Sequence, residues 1–391
     1  MSTTVQVHGM DGTLVDGDWP ALKLDEVGAL LEKYPGSGAP RRILSVSPRP
    51  FSAASVVETT AGCIFVKKHP RSVRTAEGLG EEHAFMRYLR EHGAGVPRVF
   101  LTESGASAVE CDGWTYEVHA LAEGVDAYEQ AISWTPFLTV AHARAAGVAQ
   151  AKLHLAAEGF RAPKREPRPL VASFSIFSSR DPLKELDRYF AARPALAASA
   201  AALACARKGI EVLEPFAAEL RPLLPALPAL WTHNDLHASN LFWSDAGPEA
   251  TVAAAVDFGL CDRTNAVFDL AQTIERNIVE WVTLMVQPDH PEAVAIHFDH
   301  LTVLLKGYES VRPLSREEKL ALRPMVALCH AEFALTEADY FLAALHSEER
   351  AKVAYDDYLI GHAQWFHGAG AKLLDALGGW AMEPAAVEEE Q

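Results

Sequence analysis

The sequence predicts an α+β protein with two lobes, a small antiparallel sheet followed by a larger, mostly helical part. Short runs rich in β-branched residues, separated by turns that contain Gly or Pro, fill residues 41–122. Long Ala- and Leu-rich segments with helical spacing follow from about residue 123. A chain of 391 residues is also too long for one ordinary hydrophobic core.

The segments divide the chain into four regions. Residues 1–40 are predicted to be an N-terminal extension with one amphipathic helix, "LKLDEVGALLEKYPGSG". Residues 41–122 form the N-lobe, with strands at "RILSVSP", "SVVETT", "CIFVKK", "VPRVFLTE" and "WTYEVHAL" and a helix at "AEGLGEEHAFMRYLREHG". Residues 123–380 form the helical C-lobe around a short β-rich island, and residues 381–391 form an acidic tail.

Composition argues against several kinds of partner. A formal charge of −17 disfavours nucleic acid, because phosphate backbones need a basic face. We expect a cytoplasmic protein without a membrane partner, since the chain has no long uncharged apolar run and its start, "MSTTVQVHGM", lacks the features of a signal peptide. The five scattered cysteines indicate neither a disulfide framework nor a zinc knuckle. The oligomeric state stays open.

The stretch "HNDLHASN", His233 to Asn240, carries most of the chemical signal together with the apolar strand "VAAAVDFG" that follows it. A carboxylate at the end of a buried strand, here Asp257, is costly unless it is paired or binds a cation. The turn "SDAGPEA" predicts a hairpin that brings Asn240 and Asp257 together as oxygen ligands of the kind that Mg²⁺ prefers. Asp235 lies in the same loop and is free to accept a proton.

A loop of the form H-x-D-x-x-x-x-N before a D-F-G strand is the protein-kinase arrangement. The form here, H-x-D-L-H-x-x-N with Asp269 in a later "FDLA", more closely resembles the aminoglycoside phosphotransferase and choline kinase family of small-molecule kinases. Within that family, "LLEKYPGSG", "VAQAKLHLAAEGF" and "LLKGYESVRPLSREEKLALRPMVALCHAEFAL" are most similar to the homoserine kinase type II branch.

The resemblance implies a bilobal protein-kinase-like fold with ATP in the cleft between the lobes. It also implies an enzyme that uses ATP and Mg²⁺ to phosphorylate a hydroxyl of a small molecule, an amino alcohol such as homoserine or an aminosugar of the antibiotic type. Asp235 would then act on the acceptor hydroxyl, and Asn240 and Asp257 would hold the metal. The place of Asp269 in the loop is expected to be structural or that of a helix N-cap.

Nucleotide-binding residues in the N-lobe follow from the same resemblance. A strand lysine in "IFVKKHP" would reach the phosphates and pair with a helix glutamate, Glu82 or alternatively Glu81. Successive strand residues point to opposite faces, so only one of Lys67 and Lys68 can reach the cleft, and the motif favours Lys67.

Two further segments complete the predicted nucleotide site. "SPRPFSAAS" stands where a phosphate-binding loop belongs, with Ser52 and backbone amides as donors. "YEVHALAEG" is similar to a hinge, where backbone groups around Val118 and His119 would bind adenine.

The acceptor side offers two candidates, each with a plain alternative. His237 either lines the acceptor pocket or packs. Asp262, just beyond "DFGL", either pairs with an ammonium group of the acceptor or is a solvated loop residue.

Two other functions fit parts of the pattern. A metal-dependent hydrolase could use His233, Asp235 and His237 as ligands, although alternation in a loop does not make three ligands converge and the D-F-G strand has no role there. A non-catalytic nucleotide-binding protein is the second, and the intact Asp235, Asn240 and Asp257 argue against it.

Overall fold

The computed structural model describes residues 6–8, 14–47 and 49–382. The acidic tail predicted at 381–391 lies outside the described residues, apart from 381 and 382 at the end of the last helix. Among the described residues, no helix combines the length and the apolar character that a bilayer crossing requires.

The chain forms eleven strands and fourteen α-helices within those described segments. The strands are β1 (Gln6–His8), β2 (Leu14–Asp16), β3 (Pro40–Val46), β4 (Ala53–Thr59), β5 (Gly62–Pro70), β6 (Ala108–Cys111), β7 (Trp114–Ala120), β8 (Ala229–Thr232), β9 (Leu241–Trp243), β10 (Val252–Ala255) and β11 (Asp262–Asn265). The helices are α1 (Leu24–Leu31), α2 (Ala76–Glu91), α3 (Val140–Ala157), α4 (Pro182–Ala191), α5 (Pro194–Ala198), α6 (Ala200–Leu220), α7 (Ala266–Ile278), α8 (Trp281–Val286), α9 (Phe298–Glu309), α10 (Arg316–Leu328), α11 (His330–Ala343), α12 (Glu348–Lys352), α13 (His362–His367) and α14 (Ala371–Met382). A π-helix, Val353–Gly361, joins α12 to α13.

A five-stranded antiparallel sheet forms the N-lobe, in the order β3-β4-β5-β7-β6. The fifth strand of the sheet is β6. The prediction of a strand at "VPRVFLTE" is wrong, because this segment forms no regular strand. That segment makes an isolated bridge between Val99 and His119, with hydrogen bonds from Phe100 N to Val118 O and from Ala120 N to Arg98 O. Pro97 has no N–H to give, which interrupts a regular ladder.

Helix α1 packs on the outer face of this sheet. Val27 and Leu31 of the helix share a core with Ile64, Val66 and Val118 of the sheet. The segment predicted as an N-terminal extension therefore stabilises the N-lobe directly, and it leaves the opposite face of the sheet for the cleft.

The C-lobe is built of helices around one large core that also reaches under α2 of the N-lobe. Its helices enclose two short antiparallel pairs, β8 with β11 and β9 with β10, so the hairpin predicted between Asn240 and Asp257 is confirmed. The segment between β8 and β9 is the loop that carries "HNDLHASN".

Helices α3 and α9 touch through two glycines. A Cβ atom at Gly147 would stand 2.1 Å from the carbonyl oxygen of Leu304, and one at Gly307 would stand 2.3 Å from that of Arg144. Backbone therefore packs on backbone here, with no room for a methyl group.

We expect Gly147→Ala to lower the free energy of unfolding by about 1–3 kcal/mol, because the helices must separate to admit the methyl group. Chemical denaturation monitored by circular dichroism measures this change. Gly80→Ala in α2 is the matched control, since a Cβ there meets nothing within 4 Å and alanine favours the helix. Equal stability of Gly147→Ala and the parent protein would contradict the close packing.

Candidate active site

The loop between β8 and β9 turns sharply at Asn234, which has a left-handed backbone with φ 63°. Such a conformation is uncommon for residues other than glycine and is most often taken by Asn or Asp. Asn234 Nδ2 donates to Leu260 O at 3.2 Å, and Thr232 Oγ1 donates to Asn234 Oδ1 at 2.7 Å. These buried contacts hold the turn that presents Asp235 to the cleft.

Asp269 fixes the same turn from the helix below. It accepts from the backbone N–H of Asn234 at 2.5 Å, from His154 Nε2 at 2.8 Å and from Gln150 Nε2 at 3.1 Å. The N-cap of α7 is Asn265, whose side chain accepts from Phe268 N, so Asp269 does not cap the helix. Of its two expected places, the structure favours the one that holds the loop.

Asn240 is oriented by Asp235. Its Nδ2 donates to Asp235 O at 2.9 Å and to Asp235 Oδ2 at 3.2 Å, which turns its Oδ1 away from the aspartate. The backbone of Asn240 accepts from Val256 N at 2.9 Å, next to Asp257. The hairpin thus brings an amide oxygen and a carboxylate to one end, a donor set that suits Mg²⁺.

Asp257 is the second residue of the site in a left-handed conformation, with φ 59°. Strained backbones of this kind cost of order 1–3 kcal/mol and cluster at functional sites. Its Oδ1 lies 3.1 Å from Lys67 Nζ. Burial raises the pKa of Asp257, but the charge and hydrogen bond of Lys67 outweigh that effect and hold the pKa at about 2. Asp257 is therefore an anion poised to bind a cation.

The two adjacent lysines of β5 point to opposite faces of the sheet. Lys67 faces the cleft and Asp257, whereas Lys68 Nζ bonds Glu26 of α1 at 3.0 Å on the other face. Lys67 is thus the lysine that the geometry places in the cleft.

Glu82 does not pair with Lys67, and this part of the prediction needs correction. Arg165, from the irregular segment after α3, places its Nη2 3.3 Å from Glu82 Oε2 and its Nε 3.3 Å from Glu81 Oε2. It also donates to the carbonyl oxygens of Gly259 at 3.0 Å and Cys261 at 3.1 Å. Arg165 of the C-lobe therefore links α2 to the D-F-G loop. It pairs with Glu82, the residue that was expected to pair with Lys67.

We expect Arg165→Ala to cost about 3–5 kcal/mol of stability, because it leaves the carboxylate of Glu82 buried without its cation. Arg165→Lys should cost less, since an ammonium keeps the charge but not the fork. Arg188→Ala, which removes an exposed ion pair with Glu185, should change stability by less than about 1 kcal/mol. Urea denaturation of the three variants measures their free energies of unfolding. If Arg165→Ala loses no more stability than Arg188→Ala, the Arg165 contacts do not stabilise the link between α2 and the D-F-G loop.

A cavity of about 1120 Å³ opens between the lobes and collects most of the predicted site. Its lining includes Ser52, Lys67, Asp235, His237, Asn240 and Asp257. Glu82 is also among the lining residues.

Val118 and His119 are not among the residues that line it. The carbonyl of Val118 already accepts from Phe100 N at 2.9 Å, and its side chain lies in the N-lobe core. The His119 imidazole hydrogen-bonds Glu117 Oε2 at 2.7 Å. The adenine contact predicted for the backbone around these two residues stays a prediction.

Asp262 lies in β11 and is fully buried, neither at the cavity nor in solvent. Its Oδ1 accepts from the backbone N–H groups of Arg165 at 2.8 Å and Arg263 at 2.7 Å, and its Oδ2 accepts from Ser173 Oγ at 2.5 Å. The expected contact with an acceptor ammonium is corrected accordingly. Pairing of β11 with β8 turns this residue inward, which the sequence after "DFGL" does not reveal.

The two histidines of the loop differ in availability. His233 uses both ring nitrogens, Nε2 toward Val256 O at 2.8 Å and Nδ1 toward Asp235 N at 3.2 Å. His237 lines the cavity with Nε2 3.9 Å from Asp235 Oδ2, and burial lowers its pKa to about 3, so it is neutral. Because His233 has no free nitrogen, the three ligands of the hydrolase alternative do not form.

Sequence reasoning missed two arginines of this site. Arg49 lines the cavity from the β3–β4 loop, bonded to Ser133 Oγ at 2.8 Å. Arg276 of α7 contacts Asp235 Oδ1 directly. The only signals were an arginine inside "SPRPFSAAS" and a charge within the buried helix "AQTIERN".

Carboxylates collect on the far wall of the cavity, on α11, α12 and the π-helix. They are Glu337, Glu349, Asp356 and Asp357, and Asp18 joins them from the N-terminal segment, where it pairs with Arg350. The cavity therefore joins cationic residues near Lys67 and Arg49 to a wall of carboxylates on α11, α12 and the π-helix.

Comparison with known proteins gives three kinds of match. The model of the Phosphotransferase enzyme family matches residues 51–314. A homoserine kinase of Phenylobacterium zucineum is 26% identical over 305 residues, 78% of this chain and 80% of that protein. A homoserine kinase of Caulobacter sp. strain K31 is 26% identical over 354 residues, 89% and 97% of the two chains.

Solved structures with the same fold are more distant in sequence. A microcompartment-associated aminopropanol kinase superposes with a TM-score of 0.57 at 18% identity, over 90% of this chain and 98% of the other. Amicoumacin kinase, solved in complex with AMP-PNP, Ca²⁺ and Ami, has a TM-score of 0.51 at 14% identity, over 83% of this chain and 87% of the other. These likenesses confirm the bilobal kinase-like fold.

Proposed function

The chain belongs to the Phosphotransferase enzyme family, and from this membership and its site we propose an ATP- and Mg²⁺-dependent kinase that phosphorylates a small-molecule hydroxyl, of an amino alcohol such as homoserine or an aminosugar. One observation carries the proposal. Lys67, Asp235, Asn240 and Asp257 come from both lobes and line one cavity. Phosphoryl transfer needs mainly this, positioned charge around the phosphates and a base beside the acceptor.

Each residue has a role that its contacts support. Lys67 would leave its ion pair with Asp257 and bind the nucleotide phosphates. Arg49 from the β3–β4 loop would bind them as well. Asn240 and Asp257 would hold Mg²⁺, which neutralises charge on the phosphates when bound. Asp235 would accept the hydrogen bond of the acceptor hydroxyl.

The acidic wall supports an acceptor that carries an ammonium group. Glu337 is buried and its Oε2 has no hydrogen-bond partner among the described residues, although it lines the cavity. An ammonium group of the acceptor would donate to this oxygen and would favour the charged form of Glu337, whose pKa burial raises to about 8. The names of the homoserine and aminopropanol kinases, both of which act on amino alcohols, agree with this class.

A panel of amino alcohols, aminosugars and neutral sugars with ATP tests the proposal through ADP release and product mass. We expect an amine to be the best acceptor and Asp235→Asn to lower kcat by roughly 10²–10⁴-fold with that acceptor. The KM for ATP should stay within about threefold, because Asp235 does not bind nucleotide. ATP binding without phosphorylation of any alcohol would point to a non-catalytic nucleotide-binding protein instead.

Asp257→Ala addresses the metal site separately. We expect it to weaken Mg²⁺-dependent ATP binding at least about tenfold, because it removes the charged ligand. Isothermal titration with and without Mg²⁺ measures the effect and needs no acceptor. Asp245→Ala, in the exposed turn of the same hairpin, is the matched control. Equal metal dependence in the two variants would rule out Asp257 as the ligand.

A further inference from the structure

Arg276 is a fully buried cation in direct contact with the side chain of Asp235. Its side chain is 0% exposed, and its Nη1 meets Asp235 Oδ1. The guanidinium carbon lies 4.4 Å from the ring centroid of Phe333 and 5.3 Å from that of Trp134. The two rings fix the guanidinium through packing and cation–π attraction.

Asp235 is the carboxylate that balances this charge. Glu275 approaches Arg276 Nε only to 4.0 Å, and Glu337 makes no ion pair with it within 4 Å. Burial raises the pKa of both glutamates to about 8, so both are mostly protonated at neutral pH. Asp235 is therefore the carboxylate in direct contact with the charge of Arg276.

The guanidinium donors of Arg276 form no hydrogen bonds that would serve stability alone. Across residues 6–8, 14–47 and 49–382, Nε, Nη1 and Nη2 all lack a hydrogen-bond partner, so Arg276 meets Asp235 Oδ1 as an ion pair. Unpaired buried donors are costly, and an arginine kept only for stability would satisfy them. The unpaired donors of Arg276 lower stability, and what the buried position provides instead is a cation in contact with Asp235 Oδ1.

Asp235 is held at two points. Arg276 contacts Oδ1 and Asn240 Nδ2 donates to Oδ2 at 3.2 Å, while 17% of the Asp235 side chain stays open to the cavity. Each oxygen keeps lone pairs beyond those two contacts. Rotation of the carboxylate would break both contacts, so its free lone pairs keep one direction.

We propose that Arg276 is a positioning residue for phosphoryl transfer, which holds the Asp235 carboxylate in the orientation that receives the acceptor hydroxyl. The inference rests on the proposed function of Asp235. A displacement of about 1 Å in a reacting group can cost on the order of 100-fold in rate, so such a support has a measurable effect.

A double-mutant cycle tests whether Arg276 acts through Asp235. We expect Arg276→Met to lower kcat by roughly 10–100-fold with KM for ATP within about threefold. In the Asp235→Asn background the same change should lower kcat by less than about threefold, because the carboxylate it orients is already gone. Arg276→Lys should recover part of the lost kcat, since an ammonium can contact the same oxygen.

Arg193→Met is the matched control. Arg193 is also buried and stacked on an aromatic ring, 3.6 Å from Tyr189, but it pairs with Asp339 away from the cavity lining. It should leave kcat within about twofold in both backgrounds. Circular dichroism and thermal melts establish that each variant is folded, and Arg276→Lys and Arg276→Gln enter the cycle if Arg276→Met does not fold.

The outcomes separate the two ideas. Full activity of Asp235→Asn overturns the role of Asp235 and this inference with it. A large loss in Asp235→Asn together with independent, multiplicative effects of the Arg276 variants overturns only the positioning role. An unchanged kcat in Arg276→Met does the same.

Discussion

The guanidinium of Arg165 is the contact on which the geometry of the whole site depends. It bonds two glutamates of α2 in the N-lobe and two carbonyl oxygens of the D-F-G loop in the C-lobe. Helix α2 packs on β7, which pairs with β5, the strand that carries Lys67. Arg165 therefore links the sheet behind Lys67 to the loop that follows Asp257. Because it is buried, its charge and its fork of donors act at full strength.

In the C-lobe half of the site, two residues with strained backbones are each held by neighbouring buried structure. Asn234 and Asp257 both adopt left-handed backbones, which their surroundings must over-determine. The Asp269 carboxylate accepts from the backbone N–H of Asn234, and the β9–β10 hairpin leads directly into Asp257. The reactive side chains are thus placed by buried neighbours that never meet a substrate, which is how a rigid site avoids reorganisation during transfer.

The features that sequence patterns predicted correctly are those set by residues close together in the chain. The hairpin that joins Asn240 to Asp257 spans few residues, and strand alternation alone separates Lys67 from Lys68. The failures are contacts between segments distant in sequence. Arg165 captures Glu82 across 83 residues, and pairing of β11 with β8 buries Asp262. Neither partner can be identified from spacing, because burial of a charge depends on what the rest of the fold packs against it.

The charge distribution explains how a chain with a net charge of −17 accommodates an anionic cofactor. Lys67, Arg49 and Arg74 line one end of the cavity, whereas carboxylates of α11, α12 and the π-helix line the other. Inside a partly enclosed cleft such fields are screened less than on the open surface. In the proposed function, the first end would attract the polyphosphate of ATP and the second a cationic acceptor. The surplus of acid is therefore compatible with ATP, because it stands where the nucleotide phosphates do not.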